Sequence, residues 1–218
     1  MKPEEFNDPM MKDIEQQTKE WGKLRLGKCT SSRIFDILPG KRGGYLKSRI
    51  DYRDECVMGR FGISPEPQYV SKAMERGVEC EGFARYHYEQ KNGVIVEQTS
   101  FIDHPMIPNS GCSPDALIGK NALEIKCPNS GTHFDYIITG VVPEEYKPQM
   151  AWQMACIGAE WVDFVSFDDR CPEGLRYFQI RYMRDNDYIA MLESEVVSFN
   201  KEVDDRFEIL SKKLFEGK

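Results

Sequence analysis

Residues 111–128 read GCSPDALIGKNALEIKCP and place Asp115, Glu124 and Lys126 close together in otherwise strand-like sequence. In a strand, residues i and i+2 share a face, so Glu124 and Lys126 project together while Leu123 and Ile125 face the other way. The turn GKN predicts a hairpin that returns Asp115 to the side of Glu124. Two carboxylates that close repel each other unless a proton or a cation intervenes. A hard divalent ion with oxygen ligands, Mg²⁺ or Mn²⁺, resolves the repulsion, and the backbone carbonyl of Ile125 offers a further ligand. A lysine beside such an ion can orient or help deprotonate an attacking water and stabilise charge on a phosphorane-like transition state. That chemistry is metal-assisted hydrolysis of a phosphodiester. The plainer reading is that Asp after Pro is a common turn residue and Glu-x-Lys a common exposed strand pattern. The apolar flanks of NALEIKCP speak against simple solvent exposure.

The elements that must position these residues follow from pattern. Up to residue 92 the chain reads as mostly helical. A helix is predicted over 12–25 with Ile14, Trp21 and Leu24, and a short one in TSSRIFDIL, stopped by Pro39-Gly40. GGYLKSRIDYRDECVMGRFG reads as a third, broken at ISPEP, and 68–91 as a longer one with Val70, Ala73, Met74, Gly77, Phe83, Ala84 and Tyr88 on its apolar side. From Gly93 the character changes. VIVEQTSFI, CSPDALIG and ALEIKCP read as strands, SGTHFDYIITG and PEEYKPQMAWQMACIGA as helices, and WVDFVSFD and LRYFQIRY as two more strands. The segment 186–215 is a long helix whose residues Ile189, Leu192, Val196, Phe199, Val203, Phe207, Leu210 and Leu214 form one stripe, read as core with a subunit contact as the alternative. The expectation is an α/β fold: one domain over 1–218, with a central mixed sheet of about five strands flanked by helices and a helical N-terminal part.

Composition narrows the class. The chain has 218 residues and a net charge of −7, with 40% hydrophobic residues, and no apolar run approaches a membrane span. The polar, acidic start MKPEEFNDPMMKDIEQQ lacks a signal core, and seven scattered cysteines without a CxxC pair fit reduced thiols in the cytoplasm. The three histidines show no metal-binding spacing. Charge is unevenly spread: residues 23–53 carry nine basic side chains against Asp36 and Asp51, a local +7 that can meet a phosphate backbone. The alternative is a solvated basic surface.

PD followed nine residues later by ExK resembles the PD-(D/E)xK nuclease superfamily. The segments KLRLGKCTSSRI, RGVECEGFARYHYE, CSPDALI, LEIKCP and YKPQMAWQM stand in the order and spacing seen in the lambda exonuclease and YqaJ-like viral recombinase family. The resemblance implies a restriction-endonuclease-like core and a Mg²⁺-dependent, processive 5′-to-3′ exonuclease on double-stranded DNA, with Mn²⁺ able to substitute and two ions at the site. Such an enzyme releases 5′-mononucleotides and leaves a 3′ single-stranded overhang. It also implies a homotrimeric ring around DNA, a single-strand annealing recombination protein as partner, and a phage or prophage protein working in the bacterial cytoplasm.

Carried over by motif, Asp115 and Glu124 are metal ligands with the Ile125 carbonyl, and Lys126 is the catalytic lysine. Glu81 in ECEGFAR matches a helix carboxylate of the active site, with an ordinary surface Glu as its plain alternative. Gln149 in YKPQM matches an active-site glutamine, and Gln153 one turn along shares the role. Arg25 in LRLG matches the arginine that meets a 5′-phosphate. Ser32 supplies a hydroxyl at the same place, at a helix N-terminus suited to an anion, and Ser113 hydrogen-bonds nearby. The basic stretch would then line the bore of the ring, and the loop PGKRGGYLK is a candidate for the wedge that parts the last base pairs, or simply a surface loop. An endonuclease or nickase on the same core, or a non-catalytic DNA-binding recombination subunit, are the alternatives. The cysteine spacing disfavours an iron–sulfur nuclease.

Overall fold

The structure is a computed structural model that describes residues 14–64 and 72–216. In chain order the elements are α1 (Lys19–Arg25), β1 (Cys29–Thr30), a 3₁₀ turn (Ser31–Arg33), α2 (Ile34–Ile37), α3 (Lys47–Arg60), α4 (Lys72–Asn92), β2 (Ile102–Asp103), β3 (Ser110–Cys112), β4 (Ala116–Ile118) and β5 (Asn121–Lys126). There follow α5 (Ser130–Thr139), α6 (Lys147–Ile157), β6 (Trp161–Phe167), a second 3₁₀ turn (Glu173–Leu175), β7 (Tyr177–Met183) and α7 (Asn186–Glu216). The mixed α/β class is as expected. The N-terminal residues to 13 and the stretch 65–71, including Val70, lie outside the described residues. No helix among the described residues is long and apolar enough to cross a membrane.

The chain divides into two compact units. The first takes residues up to Pro67, Ser100–Ser113 and the C-terminal part from Asp185. Here α3 and α7 pack through ring contacts, Tyr52 stacked on Phe199 at 5.2 Å and Phe61, just past the end of α3, tilted against Phe207 at 4.5 Å. Arg49, almost fully buried, spans them with ion pairs to Glu195 (3.1 Å) and Glu202 (2.7 Å). The stripe of α7 is core from Ile189 to Val203, but Leu210 and Leu214 are exposed. A small sheet in the order β1-β3-β2 completes the unit. Gly111 sits in β3 where any side chain would collide with the Ile102 carbonyl and the Phe101 ring.

The second unit, residues 68–99 and 114–184, holds the sheet β4-β5-β6-β7. β5 and β6 run parallel, joined through α5 and α6, and β4 and β7 close the sheet antiparallel on either side. Both central strands are buried along nearly their whole length, as a parallel pair covered on both faces requires. The β4–β5 hairpin turns at Gly119-Lys120, with Gly119 at φ +59°, a conformation that favours glycine. Asn129 caps α5 by accepting from Thr132 N (3.0 Å), and glycines in the left-handed region end α5 and α6.

One expected strand does not form. Residues 94–101 make only an isolated bridge, Glu97 to Leu117, before the two-residue β2 takes up Ile102. β-propensity reflects a half-buried pleated surface, whereas Ile95 is 88% exposed and the Val96 amide donates to the Glu89 carboxylate (2.9 Å) instead of to a ladder. The sheet strands are therefore split into a set of four and a separate set of three.

Candidate active site

The ladder builds the site. Ala116 pairs with Leu123, and the amide of Asp115 donates to the Leu123 carbonyl (3.1 Å), which sets Asp115 opposite Glu124. The Asp115 carboxylate accepts from the Ile125 amide (2.5 Å), taking the place of the next residue of β4. In a strand the amide and carbonyl of one residue point to the same edge, so the Ile125 carbonyl lies on the side of Asp115. Leu123 and Ile125 enter the core on one face, and Glu124, only 1% exposed, takes the other. Lys126, two residues on, is ion-paired to Glu124.

Two glutamines of α6 complete the surroundings. Gln149 Nε2 donates to one oxygen of Glu124 (2.6 Å) and Gln153 Nε2 to the other (2.6 Å). Spaced i and i+4, they share one helix face. An ionised carboxylate only accepts, so both amide nitrogens must face it, and the oxygen Oε1 of fully buried Gln153 is left without a partner. Tyr146, the residue just before α6, sets its ring 5.1 Å from the Lys126 ammonium.

The electrostatics show an unmet demand for positive charge. Burial, and then the charge of Glu124, push the Asp115 carboxyl well above its ordinary range, with Lys126 and the Ile125 amide opposing. Burial works against the charge on Lys126, but Glu124 and then Asp115 outweigh it and raise its pKa. One ammonium thus serves two carboxylates, Glu124 buried and Asp115 half-buried. This donor set, hard oxygens with an excess of negative charge, fits a divalent ion such as Mg²⁺ or Mn²⁺. Asp115, Glu124 and the Ile125 carbonyl are the residues that would hold it.

Glu81 does not join them. It pairs with Arg85 one turn along α4 (2.8 Å) and reaches Asp115 only through its field. Among the described residues no group of three or more His, Cys, Asp and Glu side chains is gathered closely enough to hold an ion.

Arg25, Ser32 and Ser113 cluster in the first unit. The Arg25 guanidinium stacks on the Trp21 ring at 4.0 Å and donates to Ser32 Oγ (3.2 Å) and Thr30 Oγ1 (3.5 Å), while Trp21 Nε1 donates to Ser113 Oγ (3.1 Å). Burial lowers the pKa of Arg25 from its usual value. A cavity of about 280 Å³ opens here, lined by Trp21, Arg25, Thr30, Ser32 and Tyr52 among others. Helix-terminal anion binding is not its basis. Ser31–Arg33 is a single 3₁₀ turn leading into the four-residue α2, too short for an appreciable dipole, and the Thr30 amide contacts the Tyr52 hydroxyl (2.8 Å). Trp21 and Thr30 escape a reading by motif, although Trp21 stands one helical turn before Arg25, where a stack is natural.

The basic stretch is also less bare than its composition. Lys28 pairs with Asp103, Arg33 with Asp36 and Glu55, Lys47 with Asp51, Arg49 with Glu195 and Glu202, and Arg53 with Asp54. Among the described residues of this stretch, Arg25, which meets only hydroxyls and the Trp21 ring, and Lys23, Lys41 and Arg42 are without an ion pair. The last two cap an ordered turn in which Gly40 N bonds Gly44 O (2.9 Å) and Gly43 N bonds Gly40 O (2.8 Å). All seven cysteines are free thiols.

Comparison with known proteins identifies the family. Residues 20–160, well over half of the chain, match the sequence profile of the YqaJ-like viral recombinase domain. An alkaline exonuclease (LHK-Exo) from Laribacter hongkongensis is 42% identical over 92% of this chain and 100% of its own, with a TM-score of 0.85. The same exonuclease in complex with dAMP matches at 41% identity with the same coverage and TM-score. A phage related exonuclease from Haemophilus somnus 129PT, 16% identical over 87% of this chain and 99% of its own, shares the fold with a TM-score of 0.67. No functionally curated protein matches. On the profile match and the identity to LHK-Exo together, the chain belongs to the YqaJ-like viral recombinase family.

Proposed function

We propose that this chain is a nuclease of DNA recombination, and more specifically a metal-dependent 5′-to-3′ exonuclease on linear double-stranded DNA. It degrades one strand processively, releases 5′-mononucleotides and leaves a 3′ overhang for a single-strand annealing protein. The observation that carries the reading is Asp115 and the buried Glu124 sharing one lysine. The 42% identity to an alkaline exonuclease, and the dAMP bound by that relative, support the substrate class.

When bound, a divalent ion supplies Lewis acidity and an activated water. The chain's own residues do the rest. Asp115 and Glu124 fix the place where positive charge is accepted, and the Ile125 amide fixes the rotamer of Asp115. Gln149 and Gln153 hold Glu124 by one oxygen each, so its carboxylate plane cannot rotate. Lys126 brings a cation to the place where charge develops on the phosphoryl oxygens. In the first unit, Arg25 with Ser32 offers a charge-assisted grip for a terminal phosphate, and Ser113, tied to Trp21, supports it. The homotrimeric ring belongs to the same proposal.

The test is digestion of linear duplex DNA carrying a phosphate on one 5′ end only, with and without Mg²⁺, beside a closed circle. The expected outcome is metal-dependent loss of the phosphorylated strand with the circle intact. Cutting of the circle would make the enzyme an endonuclease. Binding without cutting of either would make the chain a DNA-binding recombination subunit. In the same assay Arg25→Ala is expected to lower the preference for phosphorylated ends about tenfold, the scale of one charge-assisted hydrogen bond. Equal loss on phosphate and hydroxyl ends would remove Arg25 from that role.

A further inference from the structure

Lys126 has a second neighbour that the hydrolytic reading leaves unused. Its ammonium is bonded to Glu124, on the same oxygen that Gln149 Nε2 contacts. If Glu124 takes a metal ion, that oxygen has three claimants, and of the two donors already there the ion's charge repels the ammonium, so the lysine must withdraw. The ring of Tyr146, 5.1 Å from the ammonium, lies within the range of a cation–π contact. That ring is built in. Tyr146 stacks on fully buried Phe164 (5.6 Å, 26° between planes), and Phe164 is register-paired with Glu124 across β5 and β6, so the two share a face of the sheet. Tyr136 packs edge-on against Phe164 (5.7 Å). The Tyr146 carbonyl accepts from Met150 N (3.0 Å), which ties the ring to the helix that carries Gln149 and Gln153.

We infer that Tyr146 is a positioning residue: its ring face is the seat that keeps the Lys126 ammonium at the site once Glu124 gives its oxygens to the ion. The inference rests on Asp115 and Glu124 being the cation site. Three consequences follow from the geometry. Without the ring, the displaced ammonium has no local seat and returns to Glu124, competing with the metal. Without the lysine, the ring has nothing to hold. The hydroxyl of Tyr146 is not needed for the seat.

The experiment is a cycle read by Mn²⁺ binding to DNA-free protein, using electron paramagnetic resonance, together with kcat and KM on linear duplex. Tyr146→Leu is expected to weaken Mn²⁺ binding about threefold to tenfold, the scale of a partly desolvated cation–π contact. It should lower kcat by about tenfold with KM for DNA little changed, and Tyr146→Phe should recover most of both losses. In a Lys126→Met background the Leu substitution should no longer move Mn²⁺ binding. If Tyr146→Leu does not fold, fluorinated phenylalanines at position 146 keep the shape and withdraw charge from the ring, and both quantities should fall in step with fluorination.

Wild-type Mn²⁺ binding and kcat in Tyr146→Leu would overturn the inference. So would a Phe variant as poor as Leu, or an effect of equal size in the Lys126→Met background, since both mark a merely structural tyrosine. Failure of the wild-type protein to bind Mn²⁺ overturns the cation site and the seat together. If the wild type binds Mn²⁺ but does not cut DNA, the exonuclease reading fails while the binding cycle still decides the role of Tyr146.

Discussion

Two groups of carboxylates on the same four-stranded sheet meet opposite fates. Asp163 and Asp168, on and just beyond β6, are fully buried and fully provided for. Asp163 takes Arg181 through both oxygens (2.8 and 2.9 Å), the Tyr88 hydroxyl (2.7 Å) and Gln179 (3.1 Å). Asp168 takes Arg170 at 2.8 and 2.9 Å, Arg76 at 2.6 Å and the Ser130 hydroxyl at 2.6 Å. Burial pushes the Asp168 pKa up, yet its donors outweigh burial and hold it well below the carboxylate range. Across the sheet, Asp115 and Glu124 share one lysine, and the Asp115 carboxyl is pushed well up. A carboxylate with a guanidinium of its own stabilises the fold. Two carboxylates sharing one ammonium keep an attraction for further positive charge, which is what a cation site needs before its cation arrives.

Asymmetric substitutions test this contrast most severely. Asp115→Asn keeps an acceptor for the Ile125 amide and removes the repulsion with Glu124. Turnover on linear duplex is expected to fall on the order of 10³-fold, as for loss of a group acting directly in metal-assisted chemistry. The thermal midpoint should stay level or rise. A variant that loses stability and keeps its turnover would place Asp115 with the structural carboxylates.

The mirror case is Asp163→Asn. It leaves Arg181 and Tyr88 short of acceptors on the opposite side of β6. Removing one member of a buried pair costs about 3–5 kcal/mol, but Arg181 is half exposed and recovers water, so about 2–3 kcal/mol is expected. Urea unfolding reads the loss, and specific activity of the folded fraction should be preserved. Loss of activity at unchanged stability would dissolve the distinction between the two groups.

The two groups were not equally legible in the sequence. The Asp115–Glu124 pair announces itself because strand period, hairpin turn and motif spacing are all local: Asp115, Glu124 and Lys126 lie on one hairpin, and Gln149 and Gln153 on one helix face. The structural pair does not. Asp163 meets Tyr88 from α4 and Arg181 from β7, and Asp168 meets Arg76, contacts set by packing between distant segments. The same limit hid Trp21 and Tyr146, whose roles come from ring faces rather than spacing. It also made the basic stretch 23–53 look bare, since the partners of Lys28 and Arg49 lie far along the chain. The strand expected over 94–102 failed for a different reason. Its residues have strand propensity, but Glu89 intercepts the Val96 amide and Ile95 faces solvent.

The smallest expected effect is in acid, and its sign follows from Asp168. Its folded pKa is depressed relative to an unfolded value near 3.9. Such a group contributes stability that is fully present above the unfolded pKa and is lost as pH falls through the folded one. Arg170 is about half exposed, so solvent screening cuts the net contribution to about 1 kcal/mol. Unfolding free energy measured in urea at a series of pH values should therefore slope downward below about pH 4. Asp168→Asn should flatten that slope while lowering stability at neutral pH. The neutral Asn cannot titrate, so wild type and variant should converge as the pH approaches 2. Parallel curves with a constant offset would mean that Asp168 acts through packing alone, and that its guanidinium partners are not what distinguishes it from Asp115.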